Sequence, residues 1–181
     1  DRYYVNDAGR QIDLLLVSVL LCHLGKNKHI FVDEKTNDDG HLVTYKGNYV
    51  NDVAISLSHD LEKIDKDSVL DLLNEPIDSL ISYLKNHKSY SQIRNALVNV
   101  IIDEYIKEDL SAVGINFDSW FRESQLYETG LLDEVLLKIK NKNLSYSKDD
   151  ALWFKNTQFG DDQDRVLIKK NGDMTYLSLI H

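Results

Sequence analysis

Tyr3-Tyr4-Val5-Asn6-Asp7-Ala8-Gly9-Arg10-Gln11-Ile12-Asp13-Leu14-Leu15-Leu16-Val17-Ser18-Val19-Leu20-Leu21 changes character halfway along its length. The aromatic and β-branched start favours a strand, and Asn6 to Gly9 carries turn chemistry. From Gln11 onward the apolar residues crowd too densely for a narrow stripe, so the stretch predicts a helix buried on most sides and ending near Leu24-Gly25. Asn6 or Asp7 is expected to cap that helix, with Gly9 as a permissive backbone position. A strand end that opens on a helix N-terminus is also where α/β folds place ligands, which makes Asn6, Asp7, Gly9 and Gln11 a possible active-site turn.

A helix buried all round needs cover, and the residues that follow supply it. His29 to Val32 reads as a short strand, and Asp33 to Lys46 as an exposed polar loop. Tyr49, Val50, Val53, Leu57 and Leu61 mark an amphipathic helix opened by Asn48. Asp67 or Ser68 is expected to cap Val69 to Leu73, and Asp78 to Leu84 follows the breaker Pro76. Ile93, Leu97, Ile101 and Tyr105 recur every fourth residue in the clearest helix, Gln92 to Val113, which Gly114 ends. Phe117 to Glu128 holds an aromatic cluster, and Leu131 to Ile139 is helical. Ala151 to Phe154, Arg165 to Lys169 and Met174 to Ser178 read as strands, with Asn171-Gly172 as a hairpin turn. The fold class is therefore α+β, mainly helical, with a small, mostly antiparallel sheet. The wide face of Gln92 to Val113 is expected to pack on the sheet that contains Trp153 and Phe154.

Composition excludes several functions. The 181 residues carry 43% hydrophobic and 28% charged side chains, the balance of an ordinary globular domain. No apolar run approaches the roughly 20 residues of a membrane span, and Asp1 to Asp7 has no signal-peptide pattern. A lone Cys22 suits a reducing cytoplasm. The net charge of −9 opposes non-specific binding to nucleic acid, so any RNA contact must be local. The six histidines show no metal-ligand spacing, and Asp161, Asp162 and Asp164 lack the Glu of a calcium loop. No metal ligand and no catalytic residue is assigned. Ser56, Ser58 and His59 read as surface residues, and Trp120, Phe121 and Trp153 as packing aromatics.

In order along the chain, several blocks resemble bacterial class I arginyl-tRNA synthetases. They are Tyr3 to Asp13; Tyr45-Lys46-Gly47-Asn48-Tyr49; Asp109-Leu110 with Gly114-Ile115 and Phe117-Asp118-Ser119-Trp120; Glu123-Ser124-Gln125-Leu126-Tyr127; and Ala151-Leu152-Trp153-Phe154 through Phe159-Gly160-Asp161-Asp162 to Val166-Leu167, ending at Gly172 and Thr175-Tyr176. The resemblance implies the insertion between the two halves of a Rossmann catalytic domain, together with the incomplete edge of that domain. Residues 1–25 would end the first half and carry the connecting helix, 26–155 would be the helix-rich insertion, and 156–181 would begin the second half. It further implies a parent enzyme that attaches arginine to its tRNA through an arginyl-adenylate, using ATP and Mg.

The family's two ATP-binding signatures, of His-Ile-Gly-His and Lys-Met-Ser-Lys-Ser type, do not occur here. The isolated chain is therefore expected to be inactive, to need no cofactor and to be a monomer, with the missing synthetase halves as partners of the parent. By the resemblance Tyr176 binds the arginine substrate. Ile180 stands where the family has a second arginine-binding residue, an Asp, so that role is not carried over, and Asp150 stands at a usual Gly. The alternative reading is a non-catalytic RNA- or protein-interaction module derived from such an insertion.

Overall fold

The computed structural model describes residues 1–32, 44–172 and 174–175. The chain forms two compact units: Ala8–Phe117, and Asp1–Asp7 together with the chain from Asp118 onward. These borders differ from the segments 1–25, 26–155 and 156–181 implied by the resemblance.

The first unit is helical and is built around α1 (Arg10–His23), in which every residue from Asp13 to Leu21 is buried. Its faces are taken by α2 (Asn48–Ser56), α3 (Ser58–Leu61), α5 (Ile77–Asn86) and α6 (Tyr90–Val100). This is why its apolar residues do not form a stripe: a helix with neighbours on several sides gains from apolar residues on all of them. Leu16, Val17, Val53, Val69, Leu80, Ile93 and Leu97 are fully enclosed in one contiguous core. Gly25, at φ 68°, takes the left-handed turn that follows the helix end.

Several sequence expectations change here. Neither Asn6 nor Asp7 caps α1: Gly9 is its N-cap, in extended backbone with no side-chain hydrogen bond. His29 to Val32 is not a strand. Phe31 is instead a buried core side chain, with the His29 ring edge-on to it. The helix read as Tyr49 to Leu61 breaks at Leu57 into α2 and α3. Asp65, rather than Asp67 or Ser68, caps α4 (Lys66–Asp71) by accepting from Ser68 N at 2.8 Å. A 3₁₀ turn over Leu72–Asn74 leads to Pro76 and α5.

The helix read as Gln92 to Val113 is continuous but not uniform. After α6 the residues Ile101–Ile106 wind as a π-helix before α7 (Lys107–Ala112), and Gly114 closes the run at φ 79°. The i→i+5 winding shifts the buried position from Ile101, four after Leu97, to Ile102, five after it. The face of α6 packs on α1 and α5, not on the sheet expected from sequence; the strands belong to the other unit.

In that second unit β1 (Arg2–Val5) pairs in parallel with β2 (Ser119–Arg122), with Tyr3 opposite Trp120 and Tyr4 opposite Phe121. Their rings lie 4.6 and 6.1 Å apart. β2 is the strand hidden inside the aromatic cluster; its partner lies more than a hundred residues away in sequence, which no local pattern shows. Two helices follow, α8 (Ser124–Glu128) and α9 (Leu131–Asn141). Then β3 (Ser145–Lys148), β4 (Ala151–Phe154) and β5 (Arg165–Ile168) form the small antiparallel sheet in the order β3-β4-β5. β3 was not expected. Beyond β5, Ile168 bridges Met174 and Gly172 sits at φ 86°, the tight turn expected of Asn171-Gly172.

The β3–β4 turn consists of Asp149 and Asp150, both left-handed at φ 53° and 60°. A two-residue hairpin of this kind favours Asn-Gly, because only residues tolerant of positive φ fit both positions. Asp150→Gly is expected to stabilise the chain by about 0.5–1 kcal/mol, after loss of the exposed Lys170–Asp150 ion pair, which contributes little. A higher melting temperature by circular dichroism checks this; a lower one would show that the turn is held by something other than its backbone angles.

Candidate substrate-binding site

Parallel strands end together, and here the C-terminal ends of β1 and β2 carry two carboxylates, Asp7 and Glu123. Asp7 is 1% exposed and Glu123 4%. Backbone pairing joins the ends: Glu123 N and Asp7 N both donate to Val5 O, at 2.9 and 3.0 Å. Asp7 uses both its oxygens on the next residue, accepting from Ser124 N and Ser124 Oγ, each at 2.8 Å. It thereby fixes the first residue of α8, beside Glu123. Tyr4 OH donates to Glu123 Oε2 at 2.7 Å.

The two carboxylates differ in what they still lack. Asp7 accepts a bond on each oxygen, from an amide and a hydroxyl, whereas Glu123 accepts one, from Tyr4 OH, and neither carboxylate is in an ion pair among the described residues. A buried carboxylate with one hydroxyl donor carries a desolvation cost that an incoming cation would offset. The third buried carboxylate, Asp13 on α1, already has its cation: Lys85 Nζ lies 2.9 Å away, and Tyr90 OH donates at 2.5 Å. Burial and that hydrogen bond push the Tyr90 hydroxyl well above the usual tyrosine range.

Of the residues singled out from sequence, the structure brings only Asp7 into this arrangement. Asn6 is exposed, and Gly9 and Gln11 belong to the helical unit, where Gln11 Oε1 accepts from Tyr45 OH at 3.1 Å. Tyr176 lies outside the described residues, as does Ile180. In the sequence Glu123 stands out only within the block Glu123 to Tyr127, and no spacing marks it as a partner of Asp7.

The acidic run near β5 is a turn-fixing device. A 3₁₀ turn over Asn156–Phe159 ends at Gly160, φ 92°. Asp164 accepts from Thr157 N and Oγ1, and Asp161 accepts from Arg165 Nε and Nη2. These donors hold both carboxyls below the usual range. Among the described residues no group of three or more His, Cys, Asp or Glu is placed to hold a metal ion, and no helix is long and apolar enough to cross a membrane.

No family model matches the chain. Among curated relatives, an arginine–tRNA ligase of Thioalkalivibrio sulfidiphilus is 36% identical over 194 residues, and one of Legionella pneumophila strain Paris is 34% identical over 196. Each alignment covers 97% of this chain and 31% of the relative. A solved chain from Campylobacter jejuni, described as an arginyl-tRNA synthetase, superposes with a TM-score of 0.63 at 28% identity, covering 98% of this chain and 33% of that one. The chain thus spans about a third of the length of the proteins it matches. Through nearly all of its own length it is a homologue of one segment of the arginine–tRNA ligases.

Proposed function

We propose that the chain is the central part of an arginine–tRNA ligase and that its contribution to the arginine site is the Glu123 carboxylate. The observation that carries this is a buried carboxylate, held by Tyr4, with no cation paired to it among the described residues. Arginine differs from other amino acids by its planar, always-charged guanidinium, which pairs most favourably with a carboxylate. In this reading β1 and β2 are an edge of the Rossmann sheet, and the helical unit is an insertion between them. Their parallel pairing across a long crossover supports it.

Tyr176 would add a second substrate contact, and arginine's tRNA would be the other substrate of the whole protein. ATP and Mg belong to residues outside this stretch, since neither ATP signature occurs in it. Adenylate formation rests on positioning and on charge stabilisation at the phosphates, so the isolated chain should give no ATP–pyrophosphate exchange.

The test is titration of the ¹⁵N-labelled chain with L-arginine and, separately, with L-citrulline, its neutral near-isostere. Arginine should shift the amides around Tyr4, Glu123 and Ser124. Citrulline, and arginine added to Glu123→Gln, should shift them at least tenfold more weakly, by the roughly 1.4 kcal/mol or more expected of a charge-assisted pair. Equal responses to arginine and citrulline would remove Glu123 from the site.

A further inference from the structure

Glu123 stands at the N-cap position of α8, its backbone already helical at φ −58° and ψ −38°, yet its side chain makes no capping hydrogen bond. A side-chain oxygen at that position is ordinarily spent on the amides of the first turn. Here the first residue of the helix is taken by Asp7 instead, from the end of the neighbouring strand, which accepts from both Ser124 N and Ser124 Oγ.

Val5 O joins the two backbones by accepting from Asp7 N and Glu123 N. With its own amide fixed to Val5 and the next amide fixed to Asp7, Glu123 has its Cα–Cβ direction set from both sides, and its carboxylate is left to Tyr4 OH. Both Asp7 oxygens are engaged by Ser124, so Asp7 reaches a substrate only through Glu123.

We propose that Asp7 is a positioning residue for arginine recognition: acting through Ser124, it caps α8 in place of Glu123, and so orients that carboxylate and keeps it from being spent on the helix. The proposal rests on the assignment of Glu123 to the arginine site. Placement matters because a guanidinium and a carboxylate pair best in one plane, through two parallel bonds, and a carboxylate spread over several rotamers loses that geometry.

Two measurements on the ¹³C,¹⁵N-labelled chain test it. The first needs no ligand: three-bond couplings should give Glu123 one staggered χ1 rotamer in the parent, an average of several in Ser124→Ala and in Asp7→Asn, and one again in Ser124→Thr, which restores the hydroxyl. The second is titration with L-arginine and L-citrulline. Ser124→Ala and Asp7→Asn should weaken the response to arginine about tenfold, leave that to citrulline unchanged, and add nothing where Glu123 is already Gln. Ser124 is half-buried, so Ser124→Ala decides the matter even where Asp7→Asn does not fold. A single Glu123 rotamer and a parental arginine response in the folded variants would overturn the proposal, as would a loss that affects both ligands alike and persists in Glu123→Gln. Equal parental responses to arginine and citrulline would overturn the arginine assignment itself, an outcome that the ligand-free couplings tell apart from failure of the Asp7–Ser124 clamp.

Discussion

Leu16→Ala is expected to lower unfolding stability by about 3–4 kcal/mol, a large share of the 5–15 kcal/mol typical of a domain. Leu16 is at 0% exposure in the middle of α1, with helices on several faces, so the cavity left behind cannot collapse from one side. Urea denaturation should show a lower midpoint with an unchanged slope. Replacing Ile101, four residues beyond Leu97, by Ala should cost distinctly less, because the π-helical winding leaves it half-buried. A loss at Leu16 below about 1 kcal/mol would mean that α1 is not the centre of the helical unit.

The second large effect concerns Asp13. Its carboxylate is 4% exposed and joins α1 to the end of α5 through Lys85 and to the start of α6 through Tyr90. Asp13→Ala is expected to cost about 2–3 kcal/mol, mostly through loss of the charge-assisted bond from Tyr90 and stranding of that hydroxyl. Lys85 is half exposed and adds little. Tyr90→Phe should cost about 1.5–2 kcal/mol, and the double mutant less than the sum, with a coupling of about 1 kcal/mol or more. Strict additivity would mean that the two groups do not share a bond in solution.

The same pair sets a pH dependence. The folded-state pKa of Tyr90 is raised, chiefly by burial and then by Asp13. Its contribution is therefore fully present below the unfolded tyrosine value of about 10 and is lost as pH rises beyond it. Urea midpoints measured from pH 8 to 11 should fall more steeply for the parent than for Tyr90→Phe.

Much of the helical unit was legible because local pattern and packing agree there. The dense apolar run of α1 announced a helix covered on most sides, and Gly25 and Gly114 marked helix ends, since both need positive φ. The caps were less legible. An Asn-Asp pair ahead of a helix reads as its cap, but Asp7 turns to Ser124 instead, a residue 117 positions away. His29 to Val32 has strand composition, yet Phe31 is buried as a single core side chain, and the described residues of that unit form no strand for it to pair with. At Asp149-Asp150 the two-residue turn is built without the Gly that would signal it, so no local pattern marks β3.

By itself the sequence determined the mixed helix-and-sheet class, the C-terminal hairpin, the buried character of α1 and, through ordered blocks of residues, the relationship to arginyl-tRNA synthetases. Local propensity, turn chemistry and apolar periodicity act over a few residues, so they are written where they act. Tertiary structure alone decided that β1 pairs with β2, that α6 packs on α1 and α5, and that Asp7 and Glu123 meet at the ends of two parallel strands. Each of these depends on which distant surfaces exclude water together. Burial is non-directional and unspecific in sequence, so only the folded chain, by closing loops of a hundred residues, selects the partner.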